Sequence, residues 1–234
     1  MSALLGRVQS LWRYPVKSLR GESLEALEFD ARGAAHDREY ALRTEDGGLA
    51  SGKTTRRFRR VDGLFELSAR WTEAGPCLRF PDGAERGVED PELHPALERA
   101  LGQPLRLLAE EGVSHFDQQP VHLCTLASLR ALGEALDSES VDERRFRPNL
   151  VLDVEGEARL EETWIGHELA IGPDLRLAVL APTQRCRMIG LPQAELAPDE
   201  RLLPRLARAT AGHFGVYAAV TRAGRARVGE SVRV

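Results

Sequence analysis

Apolar and polar residues alternate over short stretches through the first ninety positions, the period-two pattern of half-buried strands. Residues 6–13 read as extended and stop at Tyr14-Pro15, because the residue before proline is held out of the helical region. Leu24, Leu27 and Phe29 lie in a second extended run. Residues 38–44 and 49–53 flank Asp46-Gly47-Gly48, where glycine supplies the positive φ of a tight hairpin turn. Residues 64–70 and 77–80 add two more strands, the latter closed by Pro81-Asp82-Gly83. Strands this short and this closely spaced predict an antiparallel sheet or barrel.

After position 90 the pattern mixes. Leu93, Leu97 and Leu101 recur four apart and predict a helix over 91–101. Thr125 stands where a helix N-cap would, ahead of Leu126, Leu129, Leu132 and Leu136, and Asp199 similarly precedes Leu202, Leu203, Leu206 and Ala209. Strands are predicted over 104–109, 121–124, 149–154, 167–172, 175–180, 214–221 and 227–234. The turn-rich, charged stretch 81–91 is the expected boundary between a β domain over 1–90 and a mixed domain over 91–234. The expected class is α+β, mainly β.

Composition narrows the function. The chain has 234 residues, 42% hydrophobic and 29% charged, which suits a cored globular protein and argues against disorder. A net charge of −4 gives no global pull toward nucleic acid or membrane. No stretch reaches membrane-spanning length and residues 1–7 do not read as a secretory leader, so the expected location is cytoplasmic. Cys77, Cys124 and Cys186 are odd in number and far apart, which is no disulfide framework and too few thiols for an iron–sulfur cluster. His122 and Cys124 lack the partners of a zinc site. Ser51-Gly52-Lys53-Thr54-Thr55 lacks the upstream glycine of a phosphate-binding P-loop.

Five segments carry candidate chemistry. Cys186 follows a predicted strand whose ladder Pro182 is expected to break, and Arg185 and Arg187 bracket it. Two guanidinium groups beside one thiol suit a metal-binding or nucleophilic sulfur rather than an inert core cysteine. Lys17 and Ser18 follow Tyr14-Pro15-Val16 and offer a charge and a hydroxyl to an anionic oxygen group, with a plain polar turn as the bland alternative. Asp37-Arg38 opens a strand, where Arg38 suits a phosphate, though a surface ion pair is the commoner use. Arg147-Pro148-Asn149 offers a planar cation and an amide for a heterocycle edge, or a simple strand entry. Asp117, in a polar loop before 121–124, is either an acid/base group or a turn former. The clusters at Arg56, Arg57, Arg59 and Arg60 and at Arg144, Arg145 and Arg147 read as solvated faces unless a specific reason promotes one of their members.

Taken in order, these segments resemble the MOSC (molybdenum cofactor sulfurase C-terminal) superfamily preceded by its N-terminal β-barrel, and are similar to the branch that includes the mitochondrial amidoxime-reducing component and bacterial relatives. The resemblance rests on Tyr14-Pro15-Val16-Lys17-Ser18, Asp37-Arg38, Asp117, Arg147-Pro148-Asn149, Arg185-Cys186, Phe214-Gly215 and Val228-Gly229-Glu230. It implies an N-terminal barrel-like domain packed on a MOSC barrel with peripheral helices. It implies that Cys186 ligates molybdenum, that Lys17, Ser18, Arg38, Arg147, Asn149 and Arg185 hold a phosphorylated pyranopterin, and that Asp117 lies near the metal. Gln184 and Gln118-Gln119 depart from the hydroxyl residues that relatives carry. The implied activity is reduction of N-hydroxylated compounds, with electrons from a separate ferredoxin-like or flavin partner. The alternatives are a non-catalytic cofactor or sulfur carrier, and pyridoxal phosphate on Lys17, for which the sequence shows no aromatic bed.

Overall fold

The structure is a computed structural model and describes residues 3–234. Seven strands close into a barrel: β1 (Leu4–Arg13), β2 (Val121–Thr125), β3 (Leu150–Val154), β4 (Glu168–Ile171), β5 (Leu175–Gln184), β6 (His213–Arg222) and β7 (Ser231–Arg233). Their order is β3-β2-β6-β5-β4-β7-β1, and β1 pairs back onto β3 to complete the ring. Every neighbour is antiparallel except β2 and β3. That parallel pair needs a crossover, which the segment containing helix α2 (Leu126–Glu134) provides.

Period-two alternation decides what faces inward. Val8, Leu123, Leu150, Leu152, Leu177, Val179, Val216 and Ala218 meet in one core inside the barrel. The opposite faces of β2 and β3 carry Cys124 and Val151 into a second core, under α2 and helix α3 (Leu202–Thr210). Thr125 caps α2 as expected, its hydroxyl accepting from the Ser128 amide at 3.2 Å.

Residues between β1 and β2 build the smaller unit. One sheet joins Tyr40–Arg43, Leu49–Ser51, Phe58–Arg60 and Arg106–Ala109; another joins Ser68–Thr72, Gly75–Arg79 and Glu85–Gly87. With helix α1 (Leu93–Leu101) they enclose Leu42, Leu67, Leu78, Leu93 and Leu97. Val16 and Leu19 are fully buried in the same core. The Lys17-Ser18 segment is thereby pinned on both sides.

Two local expectations are corrected. Residues 64–70 do not form one strand: Leu64–Glu66 is a 3₁₀ turn and the strand begins at Ser68. Gly63, at a left-handed φ of 80°, turns the chain into that 3₁₀ turn, where Leu64 and Phe65 are both buried. Pro182 does not end β5. It pairs with Val216, and register shifts between Val179 and Ala181 and between Pro182 and Gln184 absorb the missing N–H.

A buried acid supports the α2 crossover. Glu161 is 1% exposed and accepts from the hydroxyls of Thr125 and Ser128, each at 2.9 Å. Burial pushes its carboxyl above the usual range, with those hydroxyls pulling partly back. A raised folded-state value means a stabilising contribution present below the unfolded value and lost as pH climbs through the folded one. Glu161→Gln is therefore expected to flatten the fall in stability above about pH 4.5. Urea unfolding from pH 4.5 to 8 reads this, and parallel curves for the two proteins would contradict it.

Candidate active site

The site lies where loops from both units meet the outer wall of the barrel. Lys17 donates its backbone N–H to the Tyr40 carbonyl at 2.8 Å, and the Arg38 amide donates to the Tyr14 carbonyl at 2.7 Å. Asp37, fully buried, accepts from the Tyr14 amide at 2.7 Å. Ser18, Arg38 and Arg147 hold left-handed φ of 65°, 53° and 55°. That conformation costs a non-glycine residue about 1 kcal/mol, and the hydrogen-bonded, core-pinned loops hold it.

These loops surround a cavity of about 260 Å³. Lys17, Ser18, Arg38, Asp117, Arg147, Asn149, Arg185 and Cys186 all line it, so one cavity gathers the residues that the family resemblance assigned to a site. Lys17 is 5% exposed and donates to the His115 carbonyl at 2.6 Å and to Asp117 Oδ1 at 3.2 Å. Burial brings its pKa down to about 8, against the pull of Asp117. Arg38 pairs with Asp37 and donates to the Arg147 carbonyl at 3.1 Å. Burial disfavours its charge, but Asp37 more than offsets that and leaves its pKa raised. The ion pair is thus buried rather than the surface pair that sequence favoured.

Arg147 lies 4.2 Å from the Tyr14 ring centroid and donates to the Leu19 carbonyl. Burial and neighbouring Arg38 bring its pKa down to about 10. Arg185 donates to the Phe146 carbonyl, and burial also lowers it. Asp117 is 53% exposed in its side chain, at the mouth. Burial pushes its carboxyl up, yet Lys17 and Lys53 outweigh that and hold it below the usual range.

Cys186 is half-buried, two residues beyond β5, where it caps the 3₁₀ turn Arg187–Gly190. That turn is tied to the smaller unit: Ser51 Oγ donates to Met188 Sδ at 3.4 Å. A Cβ on Gly52 would come within 2.6 Å of the Leu191 Cδ1 methyl, so the two segments approach closely here. Arg145, 9% exposed, braces the same segment by donating to the carbonyls of Ile189, Leu191 and Ala197.

Asn149 is used differently from expectation. Its Oδ1 accepts from the His122 amide at 3.1 Å and its Nδ2 donates to the Trp12 carbonyl at 3.3 Å, so the amide ties strands together. One N–H and one lone pair remain for a ligand. Sequence reasoning missed Lys53, His122 and Tyr217, which also line the cavity. His122 and Tyr217 are paired across β2 and β6, with ring centroids 6.1 Å apart. Of the basic clusters, Arg59 and Arg60 pair with Asp46 and Asp62, as a solvated face should.

The MOSC domain family matches this chain over residues 110–233, and the MOSC N-terminal beta barrel domain matches over residues 5–75. The chain belongs to the MOSC domain family. Mouse mitochondrial amidoxime-reducing component 1 is 24% identical to this MOSC protein over 285 residues, covering 97% of this chain and 82% of its own. The YuaD protein of Bacillus subtilis shares the fold at a TM-score of 0.57 and 13% identity, over 100% of this chain and 97% of that one.

The residues present fit the molybdenum cofactor associated with the family. Arg147 Nη2 and Arg185 Nε are buried without a hydrogen-bond partner among the described residues. Buried cations left this way call for an anion. A thiol at the same cavity supplies the soft ligand that a high-valent metal takes.

Proposed function

We propose that this MOSC protein is a molybdenum-cofactor oxidoreductase that reduces N-hydroxylated compounds. One observation carries the reading: Cys186 shares a cavity with four buried or half-buried cations from distant segments, Lys17, Arg38, Arg147 and Arg185. Cys186 would ligate the metal, while those cations, with Ser18, would hold the pterin and its phosphate. When bound, the cofactor supplies a two-electron redox couple. Conversion of N–OH to N–H consumes two electrons and two protons and releases water. Asp117 is held ionised beside Lys17, and in this reading it relays a proton from the Lys17 ammonium to the departing oxygen. Tyr217 and Phe58 add aromatic walls to the cavity.

The electrons come from a separate carrier in this reading. Among the described residues no three His, Cys, Asp or Glu side chains form a metal-holding group. No helix among them is long and apolar enough to cross a membrane.

The test is protein made in a molybdate-supplied host, analysed for molybdenum and assayed for benzamidoxime reduction with a chemical electron donor. Near-stoichiometric metal with turnover supports the proposal; metal without turnover of any N-hydroxylated compound favours the carrier alternative.

Pyridoxal phosphate on Lys17 gains two features that the sequence did not show: the lowered pKa of about 8 and the Phe58 ring, with Nζ 5.1 Å from its centroid. It leaves the cavity thiol unused, and Lys17 Nζ is already engaged by His115 and Asp117. Borohydride reduction followed by the mass of the Lys17 peptide separates the readings.

A further inference from the structure

A second cavity, of about 90 Å³, shares a wall with the first, since Arg147 lines both. Trp12, Tyr14, Arg20, Arg144 and Gln193 form its other polar walls. Four of these side chains have a buried polar atom without a partner among the described residues: Tyr14 Oη, Arg20 Nε, Arg147 Nη2 and Gln193 Nε2. Tyr14 is 2% and Gln193 3% exposed. Leaving such atoms unsatisfied is costly, so the chamber needs an occupant.

The chemistry of the four atoms defines that occupant. Each has a hydrogen to donate, and only the tyrosine oxygen also accepts. The Trp12 donor is already spent on Glu143 Oε1 at 2.6 Å. Water filling the chamber would have to place its own hydrogens on acceptors, which this unpartnered set scarcely offers. An oxyanion only accepts. Three arginines supply positive charge, and of these Arg144 is compensated by Asp142 and Glu195. The space exceeds the roughly 10–15 Å³ that one water requires.

We propose that this chamber is a second anion site, binding a small tetrahedral oxyanion of the phosphate or sulfate class between Tyr14, Arg20, Gln193 and Arg147. The site shares the Arg147 Nη2 donor with the cofactor reading but stands on Tyr14, Arg20 and Gln193, which do not line the larger cavity. Through Arg147 it touches the larger cavity, so its occupancy compensates a cation that the larger site also uses.

Selenate is the probe. Crystals of the full chain soaked in selenate are expected to show an anomalous selenium peak within hydrogen-bond distance of Tyr14 Oη and Gln193 Nε2. The peak is expected to persist in cofactor-loaded protein, which distinguishes a free anion from the cofactor's own phosphate. In solution, selenate is expected to raise the unfolding temperature of wild type and of Lys17→Met alike. Its apparent affinity should weaken at least about tenfold in the double variant Tyr14→Phe/Gln193→Leu. Ordered water alone in the chamber, a peak confined to the larger cavity, a peak lost on cofactor loading, or equal affinity in the double variant would each overturn the proposal.

Discussion

Cys186→Ala is expected to abolish reduction of N-hydroxylated compounds and to lower molybdenum content severalfold, with little change in unfolding temperature. The loss should exceed the roughly 10–100-fold that removal of a supporting contact around a metal costs. Cys186 is half-buried and belongs to none of the four hydrophobic clusters that hold the fold together. A truncation there removes a ligand rather than a piece of core. Metal analysis, steady-state assay and thermal unfolding of the same preparation check this. Unchanged metal and turnover would remove Cys186 from the mechanism.

Arg147→Met is expected to move stability and function in opposite directions. In cofactor-free protein, Arg147 is a buried cation beside another cation, and burial and Arg38 bring its pKa down to about 10. Replacing such a charge with an apolar side chain of similar length stabilises many folds by about 1–4 kcal/mol. For a chain of this size each kcal/mol is worth about 2–4 °C. The variant should melt several degrees higher without cofactor, yet retain at least about tenfold less cofactor through purification. A structural arginine would instead lower the melting temperature, because the bond to the Leu19 carbonyl would be lost with no compensation. The sign of the shift therefore separates an anion anchor from a structural strut, a pattern expected where function is set against stability.

Much of the site was readable because its segments are local. Tyr14-Pro15 announces the end of a strand, and Arg185-Cys186-Arg187 announces a thiol among cations, from neighbours in sequence alone. Convergence was not readable, since it depends on β1 pairing with β3 some 140 residues later and on β2 lying parallel to β3. Strand parity held an unused clue. Val121 and Leu123 turn into the barrel, so His122 must turn out toward the cavity. Lys53 gave no clue: its segment fails as a phosphate loop, yet tertiary contact with the Cys186 turn brings it to the cavity wall. Pro182 misled because a bulge can seat proline within a ladder, which no local rule reveals. Asn149 carried both of its readings at once: its amide ties two backbones together, yet it still lines the cavity.

X-ray absorption at the molybdenum edge, on wild type and on Cys186→Ser carrying whatever metal the cationic anchors retain, tests the central claim most directly. The account predicts one fewer sulfur neighbour around the metal in the variant. An identical sulfur count in both proteins would contradict it.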